Sequence, residues 1–112
     1  MIYKIVPHAL WQRAEAQGIF SGASIDVADG FIHFSTGAQV EETAAKHFAG
    51  QRDLVLVAVD PTALGQALKW EVSRGGQNFP HLYAPLSLRD VCWTKILPLG
   101  SDGTHQLGCL LA

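Results

Sequence analysis

Three short segments of the chain alternate apolar side chains with groups that take part in acid–base chemistry. In the first segment, His33 alternates with Ile32 and Phe34, and the segments at 68–73 and 79–83 show the same alternation. Side chains at alternate positions of a strand point to one face, so each segment predicts a polar face opposite an apolar one. If the three polar faces meet, they line one cleft that contains His33, Ser35, Glu71, His81 and Tyr83.

Each of these polar side chains also has a purely structural interpretation. A histidine can be a hydrogen-bonded core or loop residue, and Glu71 lies between Lys69 and Arg74, where exposed ion pairs contribute little to stability. Tyr83 can serve as an amphipathic packing residue, and Trp70, on the opposite face of its segment, can be a core residue or a pocket wall. Both interpretations stay open at this point.

Three kinds of chemistry can be compared with this set of residues. Zinc would use the two histidines and the glutamate as ligands, but no short spacing such as HxxxH joins them. Nucleophilic catalysis by Ser35 is disfavoured because no nucleophile elbow precedes it. Phosphate binding is favoured, since Thr36 and Gln39 have the capping-box spacing that opens a helix and Gly37 allows close approach to its backbone N–H groups.

Length and composition indicate one soluble domain over residues 1–112. The mass of 12.1 kDa and a hydrophobic content of 48% suffice for a core without disulfides or a structural metal. The formal charge of −2 provides no surface for duplex nucleic acid or an anionic membrane.

No apolar run approaches the ~20 residues of a membrane span, and the N-terminus does not resemble a signal peptide. We therefore expect a cytoplasmic protein with Cys92 and Cys109 reduced.

Periodicity predicts two helices and five or six strands. The helices cover 7–17, ended by Gly18, and the segment from Thr36 to Gly50, while 21–30 is rich in turn-forming residues. The apolar run at 54–59 predicts a strand buried on both faces. Other strands are predicted at 2–6, 31–35, 68–73 and 91–97, with 79–83 as an edge or crossing segment and 106–111 as a strand or docked tail. This pattern predicts an α+β fold with a twisted, mainly antiparallel sheet.

Four blocks of the sequence resemble those of one bacterial family, the domain of unknown function 952 family. They are 29–36 (DGFIHFST), 42–48 (ETAAKHF), 70–71 (WE) and 79–83 (FPHLY). The family has no established activity, and it is more distantly similar to the ADP-ribosyltransferase and RNA 2′-phosphotransferase superfamily. This resemblance implies a split antiparallel sheet that binds a nucleotide or another phosphorylated small molecule, with NAD or ADP-ribose as ligand and no required cofactor.

The distant resemblance also implies roles for individual residues in a transferase that acts at a ribose C1′ or a phosphate. Glu71 orients a hydroxyl or stabilises oxocarbenium charge, and His33 and His81 contact ribose or phosphate oxygens. Trp70 or Tyr83 stacks on a base. Glu71, His33 and His81 are therefore the catalytic candidates. The candidates for ligand binding are Lys4, Ser35, Thr36, Trp70, Arg74 and Tyr83.

Two other classes of function are consistent with the same residues. The first strand carries Lys4, or Tyr3 beside it, where the superfamily places a histidine or an arginine, which favours a binding module without catalytic activity. A metal-dependent hydrolase would use His33, His81 and Glu71 as ligands. The sequence specifies neither the ligand nor the oligomeric state.

Overall fold

The computed structural model describes residues 1–111, except for the side chains of Arg74 and Cys109. Over this range the α helices are α1 (His8–Gln17), α2 (Ser24–Asp29), α3 (Val40–His47) and α4 (Gly108–Leu111). The strands are β1 (Ile2–Pro7), β2 (Ile19–Phe20), β3 (Ile32–His33), β4 (Ser35–Thr36), β5 (Leu54–Val59), β6 (Leu68–Val72), β7 (Asn78–Leu82), β8 (Leu86–Ser87) and β9 (Val91–Leu97). Short 3-10 helices cover Pro61–Ala67, Arg74–Gly76 and Leu88–Asp90.

The strands form antiparallel sheets of four, three and two strands, which confirms the predicted α+β class. The strand orders are β4-β1-β5-β9, β3-β7-β6 and β2-β8. All six residues of β5 are buried, as its apolar run predicts, because hydrophobic clusters lie on both faces of the four-stranded sheet. One cluster includes Val6 and Trp11, and the other includes Ile5 and Val40.

The single strand predicted at 31–35 is divided in two at Phe34. His33 on β3 pairs with His81 on β7, whereas Ser35 on β4 pairs with Tyr3 on β1. The Phe34 N–H between them donates a hydrogen bond to the carbonyl of Pro80, with an N–O distance of 2.9 Å. The chain therefore crosses from the three-stranded to the four-stranded sheet within one residue.

Helix α2 lies in the segment where composition predicts only turns. The carboxylate of Asp26 accepts a hydrogen bond from the Ala23 N–H at 2.7 Å and so satisfies a free donor at the helix start. Gly22, before the helix, has φ +116°, and a Cβ atom there would lie 2.8 Å from the Cβ of Asp26. Glycine is therefore required at position 22, because the backbone there passes very close to the side chain of Asp26.

Helix α3 begins at Val40, four residues after its predicted start. A turn precedes it, in which the Gln39 side chain accepts a hydrogen bond from the Thr36 N–H at 3.0 Å. The Gln39 N–H in turn donates to the Thr36 carbonyl at 3.0 Å. The predicted anion site uses the N–H groups that follow Thr36, and of these the N–H of Gln39 is bonded within the protein. The helix ends at His47, before the predicted Gly50.

The predictions for β6, β7 and the C-terminal segment need correction. β7 lies between β3 and β6 rather than at an edge, although it contains Pro80. Trp70 is 48% exposed on the edge strand β6, so it is neither a core residue nor a wall of the cleft. Gly108–Leu111 forms helix α4 instead of a strand, and Leu107 and Leu110 pack on the core, which agrees with the alternative prediction of a docked tail.

Two further observations concern the solvent-facing parts of the chain. Across residues 1–111, no helix is long and apolar enough to cross a membrane. Cys92 is an exposed free cysteine on β9, whereas the side chain of Cys109 lies outside the described part of the chain, so their redox state stays a prediction.

Candidate functional site

An open cleft of about 750 Å³ lies where the two larger sheets meet. Its volume is in the range of small-molecule sites, ~300–1,000 Å³. Apolar side chains form much of its wall, including Ile5, Phe34, Val40, Phe48 and Phe79. The polar groups that line it include Lys4, Asp29, His33, Ser35, Thr43 and His81.

Lys4 is a buried cation in the otherwise apolar strand β1. Its Nζ donates to the carbonyl of His33 at 2.9 Å and lies 3.1 Å from Oδ2 of Asp26. Burial lowers the pKa of Lys4, and the charge and hydrogen bond of Asp26 oppose that change. The predicted ligand-binding candidate thus lies at the cleft, but its ammonium group is already held by two internal acceptors.

Asp26 is the central acceptor of the site and is only 2% exposed. Its carboxylate accepts hydrogen bonds from the N–H of His33 at 3.0 Å and from Nδ1 of the same residue at 2.6 Å, besides those from Ala23 and Lys4. Burial acts to raise the pKa of Asp26, but the hydrogen bonds from His33 and the charge of Lys4 lower it, with a net value of about 2. The group is therefore ionised inside the protein at neutral pH.

His33 lies between two carboxylates. Its Nδ1 is 2.6 Å from Oδ1 of Asp26, and its Nε2 is 3.0 Å from Oδ2 of Asp29. An ionised carboxylate only accepts hydrogen bonds, so the imidazolium form of His33 donates to both. The Asp29 side chain is 46% exposed, whereas that of Asp26 is 1% exposed, so Nε2 is the nitrogen on the solvent side.

His81 is buried and is held from one side by Glu71. The Nδ1 of His81 is 2.9 Å from Oε1 of Glu71, and the Tyr83 hydroxyl donates to the same oxygen at 2.7 Å. The hydrogen bonds from Tyr83 and His81 lower the pKa of Glu71, and the bond to Glu71 raises the pKa of Tyr83. The Nε2 of His81 is buried and has no hydrogen-bond partner among the described residues. A buried polar atom in this condition costs about 1–3 kcal/mol.

An aromatic ring joins the two histidines. The ring centroid of Phe31 is 4.5 Å from that of His33 and 4.2 Å from that of His81. The two imidazoles are 5.4 Å apart, edge to face, and Tyr83 packs on the same phenylalanine at 5.1 Å. Phe31 therefore sets the spacing between the two imidazoles from one side.

The structure brings together part of the predicted site. Lys4, His33, Ser35 and His81 line the cleft, and the Ser35 hydroxyl is 2.8 Å from that of Thr43. Glu71 and Tyr83 share the face of His81, as the alternation predicts, but they lie beside the cleft rather than in its wall. Trp70 is on the other face of β6, and the Arg74 side chain lies outside the described part of the chain. The roles assigned to these residues stay predictions.

Three residues of the site were not identified from the sequence: Asp26, Asp29 and Phe31. One signal could have found the first. A lysine in the middle of a strand with apolar residues on both sides is almost never buried without an acidic partner. Lys4 therefore indicates that a carboxylate from another segment lies next to it. The segment at 21–30 holds the two aspartates closest in sequence to β3, Asp26 and Asp29.

The donor geometry does not fit a metal site. The described residues contain no group of three or more His, Cys, Asp or Glu side chains that could hold a metal ion. Of the three residues considered as zinc ligands, Glu71 uses one oxygen for both His81 and Tyr83, and both nitrogens of His33 are bonded to carboxylates.

Comparisons with known proteins place the chain in one family. The family described as "Protein of unknown function (DUF952)" matches residues 5–94. The crystal structure of protein CC0527 from Caulobacter crescentus superimposes with a TM-score of 0.95 and 55% identity, over 98% of this chain and 96% of that chain. The solution NMR structure of CC0527 gives a TM-score of 0.89 and 56% identity, over 99% and 96% of the two chains. No curated protein matches this chain.

Proposed function

The chain belongs to the DUF952 family of proteins of unknown function, and from the geometry of its cleft we propose that it binds a small phosphorylated molecule of the nucleotide class. The observation that carries this proposal is the buried Nε2 atom of His81, a cleft-lining residue, which has no partner among the described residues. We expect a ligand in the cleft to supply that partner, because buried polar groups are nearly always hydrogen-bonded.

The electrostatics of His81 suit an anionic oxygen. Glu71 has a lowered pKa and is ionised at neutral pH, so it accepts a hydrogen bond from the Nδ1–H group of His81. With a second proton on Nε2, the imidazolium donates a charge-assisted hydrogen bond to a phosphoryl or ribose oxygen. Glu71 therefore acts as a positioning residue through His81, rather than by the direct contact with the ligand that the resemblance implies.

The apolar wall of the cleft favours a nucleotide over free phosphate. Phe34, Phe48 and Phe79 line the same cleft as the two imidazoles, and Phe48 is the one of the three that is only partly buried. A nucleotide combines a flat base, which stacks on such side chains, with ribose and phosphate oxygens, which hydrogen-bond to histidine. NAD and ADP-ribose belong to this class of ligand.

A second candidate function is binding without catalysis. Lys4 occupies the first-strand position where the distantly similar transferases carry a ligand-contacting residue, and here its ammonium group is bonded to Asp26 and to the His33 carbonyl. If the protein instead catalyses group transfer at a phosphate or a ribose C1′, His81 is the candidate for proton exchange with the ligand, because it lines the cleft and its Nε2 has no described partner.

Thermal unfolding in the presence of NAD, ADP-ribose, mononucleotides and inorganic phosphate tests the proposal. A ligand at 100 times its Kd stabilises the fold by ~2.7 kcal/mol, which raises the Tm of a domain of this size by several degrees. His81→Asn keeps a donor near the position of Nδ1 and removes Nε2, so it is expected to abolish the shift. His8→Ala, at the start of α1, is the matched control and should preserve it.

Two results would contradict the proposal: no shift with any nucleotide, or an unchanged shift in His81→Asn. Chromatography of NAD and ADP-ribose after incubation with the protein then separates the two candidates. Released nicotinamide or another product supports the transferase, whereas a thermal shift without product supports the binding module.

A further inference from the structure

Strand β6 presents an unpaired edge with exposed apolar side chains. It is the outer strand of the three-stranded sheet, and β7 pairs along only one of its sides. Over residues 1–111 no other strand pairs with its second side. Trp70 is 48% exposed and Val72 is 72% exposed on one face of this strand. A free edge with an apolar face can template pairing with another strand.

The sequence of β6 is complementary to itself in the antiparallel direction. Its five residues read LKWEV, with Trp70 in the centre, one charge of each sign beside it and an aliphatic residue at each end. When two copies pair about a twofold axis at Trp70, Lys69 of one copy lies opposite Glu71 of the other. Leu68 then lies opposite Val72 on the other face. Opposite charges and apolar residues in directly cross-strand positions stabilise a strand pair.

We propose that β6 is an interface at which a second copy of this chain pairs antiparallel with it and forms one six-stranded sheet across the dimer. The register is specified by the charges. A shift of two residues in one direction places Lys69 opposite Lys69, and in the other direction Glu71 opposite Glu71, both of which are repulsive. A shift of one residue places the apolar face of one copy on the same side of the sheet as the charged face of the other.

The other outer strands of the larger sheets do not offer this complementarity: β3 and β4 have two residues each, and β9 lacks the charges for it. β9 ends the four-stranded sheet and also has an exposed apolar residue, Ile96, at 61%. Its sequence VCWTKIL contains one basic residue, Lys95, and no acidic one. Antiparallel self-pairing of β9 therefore offers no cross-strand ion pair, which leaves β6 as the edge that fits a second copy.

The interface would place a second cation near the candidate functional site. Glu71 lies on the same face of the sheet as His81 and Tyr83, and its Oε1 accepts hydrogen bonds from both. The Lys69 side chain of the same copy lies over the ring of Tyr83, 5.1 Å from its centroid. Lys69 of the second copy would approach Glu71 from the free edge of β6. The assembly would thus add positive charge beside the carboxylate that holds His81.

Sedimentation equilibrium over a range of protein concentrations tests this proposal independently of the proposed ligand. A strand pair of this length is smaller than a standard interface, so we expect a mass that rises with concentration from 12.1 kDa towards twice that value. Lys69→Glu and Val72→Lys are each expected to weaken the association by at least tenfold. Ile96→Lys introduces the same charge at an exposed apolar position of the outer strand β9 and should leave the association unchanged.

The double variant Lys69→Glu, Glu71→Lys provides the decisive comparison. It reverses both charges and restores the cross-strand attraction, so association should return although Lys69→Glu alone loses it. Circular dichroism confirms that each variant is folded. A mass of one chain at every concentration, or association that Lys69→Glu and Val72→Lys leave unchanged, would overturn the proposal.

Discussion

His33 and His81 lie directly opposite each other on neighbouring antiparallel strands, and their ring centroids are 5.4 Å apart. Each has a carboxylate on Nδ1, Asp26 for the first and Glu71 for the second. The two histidines differ at Nε2. In His33 this atom lies 3.0 Å from a carboxylate oxygen of Asp29, whereas in His81 it has no described partner. The pair is therefore asymmetric: the imidazole of His33 contacts carboxylates through both nitrogens, and that of His81 through Nδ1 alone.

The stability of the protein is expected to fall in acid because of Asp26. Its pKa is about 2 in the fold, against an ordinary value of 3.8. A carboxyl with a depressed folded pKa stabilises the fold above its unfolded pKa, and this contribution disappears as the pH falls through the folded value. Between pH 5 and pH 2 we expect the free energy of unfolding to decrease by roughly 2 kcal/mol from this group. Urea unfolding at several pH values measures it.

The variant Asp26→Asn is expected to destabilise the fold far more than Asp29→Asn. Removal of Asp26 leaves the buried ammonium of Lys4 without its counter-ion, a change that typically costs about 3–5 kcal/mol. The carboxylate of Asp29 also faces His33, but it is 46% exposed, and an exposed pair contributes less than about 1 kcal/mol. Equal losses in the two variants, measured by urea unfolding at neutral pH, would contradict the assigned difference in burial.

The variant Tyr83→Phe is expected to raise the pKa of Glu71 towards its ordinary value. The hydrogen bond from the Tyr83 hydroxyl is the largest cause of the lowered pKa, and the histidine bond is the second. Titration of the Glu71 carboxyl carbon by NMR measures the change. Tyr3→Phe removes the other tyrosine hydroxyl of the chain and serves as the control, in which Glu71 should titrate as in the unmodified protein.

The reciprocal variant Glu71→Gln is expected to lower the pKa of Tyr83. In the unmodified protein Glu71 raises that pKa, first through the hydrogen bond to the hydroxyl. Titration of tyrosine absorbance in the alkaline range follows the change. An unchanged tyrosine midpoint in this variant would show that the hydroxyl and the carboxylate are not hydrogen-bonded in solution.

Gly22→Ala is expected to be more destabilising than Gly30→Ala. Both glycines have positive φ, +116° and +85°, so alanine is strained at either position. Only at Gly22 would the new Cβ lie 2.8 Å from the Cβ of Asp26, whereas at Gly30 nothing lies within 4 Å. Gly30→Ala thus measures the backbone strain alone, on the order of 1 kcal/mol. A larger loss of unfolding free energy in Gly22→Ala reports the displacement of Asp26.

Local patterns in the sequence predict the strands of the site better than the way they connect. The alternation in β6 and β7 correctly places Glu71, His81 and Tyr83 on one face, because side-chain direction in a strand depends only on position. The run at 54–59 correctly predicts a strand covered on both faces. Both predictions depend on neighbouring residues alone.

The features that the sequence did not predict depend on contacts between distant segments. The strand is divided at Phe34 because β3 and β4 find different partners, β7 and β1, which no local pattern encodes. Helix α2 is short and composed of residues that also form turns, and its start is secured by the side chain of Asp26. Pro80 indicates an edge strand, but its carbonyl still accepts a hydrogen bond from Phe34.

The crossing at Phe34 also links the motions of the two larger sheets. A single residue separates β3 from β4, and the ammonium of Lys4 on β1 bonds to the carbonyl of His33 on β3. Separation of the two sheets would break this hydrogen bond together with the pairing of β3 with β7 and of β4 with β1. Amide hydrogens of β1 and β7 are therefore expected to exchange with solvent through a shared opening event. A molecule seated in the cleft would lie against both sheets, since Lys4 and His81 both line it, and is therefore expected to slow exchange in both.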